Sequence, residues 1–180
     1  DFLGSSECVA EEVTEGEGPS ARSYQLLSFR AEDGLGKGCR HMARSSDGGA
    51  SWQPYYKPSV GEGDCIPDPV CQGSLLSLGA GEVLLTSGPG SSKLRTAMSL
   101  HASVDGGRTF ALIKVIPSLI AMYSDLVEVG QCAESWSVGV LAELGGGLKL
   151  EVFEVAKPHA AEAPSGKGLD KLTRPAPLFY

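Results

Sequence analysis

Ser45-Ser46-Asp47-Gly48-Gly49-Ala50-Ser51-Trp52 returns later in the chain as Ser103-Val104-Asp105-Gly106-Gly107-Arg108-Thr109-Phe110. Both copies read Ser-x-Asp-x-Gly-x-x-Trp/Phe, and each follows a strand-like stretch. Ahead of the second copy, Met98, Leu100, Ala102 and Val104 alternate with Ser99, His101 and Ser103, the period of a half-buried strand. Asp-Gly-Gly supplies the positive-φ positions of a tight turn, and the aromatic residue opens the returning strand. The Asp carboxylate can accept hydrogen bonds from N–H groups across the turn, while Ser and the ring pin its two sides. These residues are structural, and their recurrence marks a chain built from repeated strand–turn–strand units.

Outward from the two turns, further strands are expected over 24–29, 75–78, 83–87, 126–129, 136–143 and 148–155, separated by Gly-, Ser- or Pro-rich turns. No segment carries a sustained helical stripe. Gly at 24 and Pro at 11 of 180 residues suit many short strands joined by turns. The fold class is all-β. Residues 1–157 form the folded part, and 158–180, rich in Pro, Ala, Gly and Lys without periodicity, read as a flexible tail outside it.

The formal net charge of −7 argues against a phosphate backbone as partner, so no nucleic acid is expected. Much of the acidity lies between Glu7 and Glu17, a run that reads as a solvated loop. No apolar stretch is long enough to cross a bilayer, and the first residues show neither the basic nor the apolar region of a signal peptide. The five cysteines lack paired CxxC spacing, and His41, His101 and His159 share no ligand spacing, so no metal or cofactor is implied. Cys65 and Cys71 could bridge within one loop, although sequence alone does not establish the geometry.

Five short segments carry more specific information: Ser6-Glu7-Cys8-Val9; Cys39-Arg40, just ahead of the first turn; Cys71-Gln72-Gly73-Ser74; Ser87-Gly88-Pro89 followed by Arg95; and Met122-Tyr123-Ser124-Asp125-Leu126. In this order around two such turns, the stretch from about Glu7 to Val155 resembles the sialidase (neuraminidase) family, whose turn repeats are called Asp boxes (BNR repeats). It is similar in particular to the animal-type, lysosomal-like exo-α-sialidases. The departures are a longer stretch from Glu12 to Ala31, Gly88 where Asn is common, and Met122 where Gly is usual before the tyrosine. They bear on the shape of the pocket.

The resemblance implies a six-bladed β-propeller of which about three blades, the C-terminal half, are present. The implied activity is release of terminal sialic acid from glycoproteins, glycolipids or oligosaccharides. Sialic acid carries a carboxylate on its anomeric carbon, which planar guanidinium forks bind in bidentate fashion. That carboxylate would repel a carboxylate nucleophile, and sialidases are similar to one another in using a neutral Tyr in a retaining mechanism. A phenol ionises only near pH 10 and needs a neighbouring base. On the resemblance, Tyr123 is the nucleophile, Glu7 its base, and Arg40 and Arg95 two members of an arginine triad.

The family's first arginine, in an Arg-Ile-Pro segment, and its acid/base aspartate would precede Glu7, and no Arg-Ile-Pro occurs. The chain is therefore expected to be an incomplete fragment with reduced or no activity alone, open to association through its uncovered propeller edges. Sialylated glycoconjugates are the implied partners, and a lysosomal or secreted location is slightly favoured by the resemblance. The competing function is a non-catalytic Asp-box propeller that binds glycans or proteins, since this scaffold does not dictate catalysis. Such a module has no reason to keep Glu, Tyr and two Arg together.

Overall fold

The computed structural model describes residues 5–16, 18–32, 38–61, 64–158 and 173–175. The chain opens with β1 (Ser5–Glu15) and returns antiparallel as β2 (Arg22–Ala31), followed by β3 (Gly38–Cys39) and β4 (His41–Ser45). Three two-residue strands come next, β5 (Ser59–Val60), β6 (Asp64–Cys65) and β7 (Pro67–Asp68). A meander then runs through β8 (Ser74–Leu78), β9 (Val83–Pro89), β10 (Met98–Ser103) and β11 (Thr109–Ile116). A second meander comprises β12 (Ala121–Gln131), β13 (Ser135–Leu144) and β14 (Gly147–Ala156), with β15 (Thr173–Pro175) added at its edge.

These strands form three larger sheets, ordered β1-β2-β4, β6-β5-β11-β10-β9-β8 and β12-β13-β14-β15, with β3 and β7 as a small separate ladder. Among the described residues strand accounts for 63% and no α-helix occurs, so the all-β expectation holds. The described sheets do not close into a ring.

The middle sheet is covered on both sides. On one face Leu85, Met98, Leu100 and Ala102 pack with Trp136, Val138, Val140 and Phe153 of the last sheet. On the other, Leu75, Leu84 and Phe110 pack with Val13, Tyr24, Leu26 and Met42 of the first. Every residue of β10 is consequently buried, His101 and the serines included, which corrects the half-buried reading of that strand. Alternation was real, but both of its faces are covered.

The two Asp-Gly-Gly turns share the same set of Ser–Asp and Asp–Ser/Thr hydrogen bonds. Ser45 Oγ donates to Asp47 at 2.8 Å and receives Gly49 N at 2.8 Å; Ser103 Oγ does the same with Asp105 at 2.8 Å and Gly107 N at 2.9 Å. Ser51 N and Oγ donate to the Asp47 carboxylate, as Thr109 N and Oγ1 do to Asp105. The bonds from Ser51, then Ser45, hold the Asp47 carboxyl down to about 2. Their surroundings differ. The first turn is mostly open to solvent, whereas the second inserts between the sheets, where Gly106 O accepts Tyr24 Oη at 3.0 Å and Gly107 O accepts Tyr56 Oη at 2.9 Å.

Two further readings are corrected. The acidic run read as a solvated loop is for most of its length β1, because Val13 packs fully buried in the core and the chain pairs along all of β2. Its glutamates suit an edge strand, where charge discourages pairing with other chains. Cys65 bonds Cys39, not Cys71: the β3–β7 ladder and the β5–β6 hairpin bring their Cα atoms to 5.6 Å, while Cys71 stays free and buried. Within the expected tail, Thr173–Pro175 pairs with β14, while 159–172, His159 included, and 176–180 lie outside the described residues.

Candidate active site

Glu7 sits where β1 slips register against β2: Ser6 pairs Arg30 and Cys8 pairs Phe29, so Glu7 is the extra residue of a β-bulge. Its φ of 32° lies in the left-handed region, which is costly for a non-glycine residue. Tyr123 sits in a second bulge, where Ala121 pairs Leu144 and Ser124 pairs Ala142, so that Met122 and Tyr123 together oppose one residue. Bulges re-aim side chains and gather beside functional sites.

The two bulges aim at each other. Tyr123 Oη donates to Glu7 Oε1 at 3.1 Å, and the other carboxylate oxygen is bound by Arg30 Nη1. Arg30 also reaches Glu32 at 3.3 Å. Desolvation pushes the Glu7 carboxyl up, but the hydrogen bonds from Arg30 and Tyr123 and the charges of Arg30 and Arg95 outweigh it, so the net shift is downward. Glu7 is therefore an ionised acceptor facing a phenol.

Arg95 enters from the loop between β9 and β10. Its Nη2 donates to Val70 O at 2.7 Å and its Nη1 lies 3.7 Å from Met122 Sδ. Its backbone carbonyl accepts Ala121 N at 2.8 Å, tying the loop to the start of β12. Val70 holds a positive φ of 59°, which turns its carbonyl into place.

The motif segments hold one another. Ser124 N donates to Gln72 Oε1 at 3.0 Å, and Ser124 Oγ meets Ser87 Oγ at 2.8 Å. Ser74 Oγ donates to Asp125 at 2.9 Å and accepts Leu126 N at 3.1 Å. Gly73 has to be glycine: a Cβ there would lie 2.2 Å from Ser87 O and 2.7 Å from Arg40 Nη2. The Cys71 thiol, buried between these segments, is pushed up by desolvation, against the opposing charges of Arg95 and Arg40.

Of the four residues singled out from sequence, Tyr123, Glu7 and Arg95 come together on one side. Arg40 does not join them at the surface. It is 1% exposed, with Nε 3.5 Å from Asp68 and Nη2 donating to Cys71 O at 2.7 Å, behind the 71–73 segment. Burial lowers its basicity, with Asp68 as the main opposing charge. The arginine that touches Glu7 is Arg30, which the sequence reading passed over. Its signal was register: Arg30 pairs Ser6, the residue before Glu7, once β1 and β2 are recognised as a hairpin.

No family model matches the sequence, and no curated protein matches it. Among solved structures the chain is similar to a Hadza microbial sialidase, with a TM-score of 0.56 and 22% identity over 83% of this chain. The likeness is one of fold. The chain spans 27% of that protein's length.

Proposed function

We propose that this chain provides the nucleophile side of an exo-α-sialidase site acting on terminal sialic acid of glycoconjugates. The observation that carries the reading is the Tyr123–Glu7 hydrogen bond, made by two bulged residues from different sheets beside arginine charge. In this assignment Arg30 and Arg95 bind the substrate carboxylate. Arg30 takes the place the sequence reading gave to Arg40.

In the reaction, Tyr123 Oη attacks the anomeric carbon while Glu7 accepts the phenolic proton, and the glycosidic C–O bond breaks with its electron pair leaving on the aglycone oxygen. A neutral phenol approaches the substrate carboxylate without the repulsion that a carboxylate nucleophile would meet. Glu7, ionised by its arginine neighbours, is in the protonation state this transfer needs. The aglycone oxygen takes up a proton as the bond breaks, from a group other than Tyr123 and Glu7. Displacement of the sugar from Tyr123 by water then gives net retention.

The test pairs binding with turnover. N-acetylneuraminic acid titrated into the 180-residue chain should shift the backbone resonances around Glu7, Arg30, Arg95 and Tyr123, and Arg95→Ala should abolish those shifts. In the longest natural polypeptide containing this chain, a fluorogenic sialoside should be hydrolysed, and Tyr123→Phe should stop hydrolysis while leaving binding. Absence of shifts overturns the ligand assignment. Binding with turnover unaffected by Tyr123→Phe overturns the nucleophile, and binding without turnover points to a sialic-acid-binding module.

A further inference from the structure

Arg40 is the largest buried charged side chain among the described residues, and its surroundings give it a structural task. Its guanidinium meets Asp68 at 3.5 Å and Cys71 O at 2.7 Å, and the same Asp68 accepts Cys71 N at 2.9 Å. The loop from 68 to 71 is thus gripped at both backbone polar atoms of Cys71 by one buried ion pair. The two residues flanking Cys71 point the other way, into the candidate site. Val70 O holds the Arg95 guanidinium at 2.7 Å, and Gln72 Oε1 holds Ser124 N, the backbone next to Tyr123, at 3.0 Å.

The far side of the clamp is fixed as well. Arg40 N donates to Ile66 O at 2.9 Å, β3 pairs β7 through Gly38–Asp68 and Cys39–Pro67, and the Cys39–Cys65 disulfide closes the same corner. Both members of the ion pair are essentially shut off from solvent, and such a pair is costly to form and contributes little net stability. Its effect is geometric, since it dictates where Val70 O and the Gln72 amide stand.

We propose that Arg40 and Asp68 are positioning residues that set the Arg95 guanidinium and the Tyr123 backbone through the 70–72 loop. The inference rests on the sialidase reading for its consequence in binding, but not for the coupling itself. Asp68→Asn keeps the size and one acceptor while removing the charge. Gln72→Ala cuts the second arm without disturbing a buried charge, and Gln72→Glu keeps a side-chain oxygen for Ser124 N.

The side-chain Nε–Hε resonance of Arg95 and the amide resonance of Ser124 are followed in the ligand-free 180-residue chain. Asp68→Asn should shift both, and Gln72→Ala should shift Ser124 with Gln72→Glu restoring it, while the Arg108 side-chain resonance on the remote turn stays put. N-acetylneuraminic acid affinity should fall roughly 10- to 100-fold in Asp68→Asn, the scale expected when a clamping arginine is misplaced. If Asp68→Asn does not fold, Asp68→Glu, which keeps the charge but displaces the carboxylate, is read by the same two resonances in its place, and unmoved resonances there overturn the proposal equally. An unmoved Ser124 resonance in Gln72→Ala, or an unmoved Arg95 resonance in a folded Asp68→Asn, overturns the proposal. Resonances that move in a protein whose parent binds no sialic acid uphold the positioning network and overturn the sialidase reading instead.

Discussion

Tyr123 and Glu7 lie 116 positions apart and meet through one hydrogen bond of 3.1 Å, each set on a β-bulge of a different sheet. Neither strand would point its side chain this way in regular register. The bulges break the alternation of two otherwise continuous strands at the place where a phenol and a carboxylate must face each other. A left-handed φ at Glu7 is the local cost of that arrangement.

Tyr123→Phe removes a single hydroxyl from a side chain that is 39% exposed, so stability should change by less than about 0.5 kcal/mol. The Glu7 carboxyl should rise, because the Tyr123 bond is one of the interactions holding it down. A carbon-detected NMR titration of Glu7 reads that rise. In the longest polypeptide carrying this chain, sialoside turnover should fall by roughly 10²-fold or more.

Arg30→Met should raise the Glu7 carboxyl further than Tyr123→Phe does, since it removes both a hydrogen bond and a charge. Arg40→Met should instead unfold or strongly destabilise the protein, by about 3–5 kcal/mol, because it leaves Asp68 buried without its counter-charge. Urea melts of the two variants, with the Glu7 titration on the first, separate an arginine beside Glu7 at the surface from one held in the core. Equal destabilisation by both would contradict the assignment.

His101 is buried in β10, and desolvation pushes it down to about 4. The folded protein thus declines a proton that the unfolded chain accepts near pH 6.5. Stability is full above that value and drains away as pH falls from about 6.5 toward 4, by on the order of 3 kcal/mol. His101→Gln should flatten this slope, which urea midpoints measured between pH 7 and pH 4 would show.

The equivalent turns predict unequal responses to one substitution. Gly48→Ala and Gly106→Ala both place a side chain at left-handed φ, 72° and 70°, costing about 1–2 kcal/mol each. A Cβ on Gly48 meets nothing, whereas on Gly106 it would lie 2.4 Å from Tyr24 Oη and 2.5 Å from Glu15 Oε1. Gly106→Ala should lose a further amount of about 1–3 kcal/mol from overpacking. Chemical denaturation of both variants checks the difference.

What the sequence determined is what depends on neighbours a few residues apart. The Asp-Gly-Gly turns, the alternation ahead of them and the strands expected over 136–143 and 148–155 are local in origin, because turn dihedrals and strand period are set within one hairpin. The pairing of Tyr123 with Glu7 was reachable only through resemblance, since nothing local in either segment points to the other. Only the tertiary structure shows that Arg30, and not Arg40, lies beside Glu7. Both are arginines at strand ends, and a strand's period says which residues share a face but not what covers that face. Asp68, 28 positions after Arg40, closes over that guanidinium through β7, while the bulge at Glu7 leaves Arg30 beside a carboxylate at the surface. The same holds for Cys39–Cys65 and for β1, whose glutamates read as a loop until Val13 found its core. Burial and pairing are properties of two segments at once, so they appear only when the chain has brought both together.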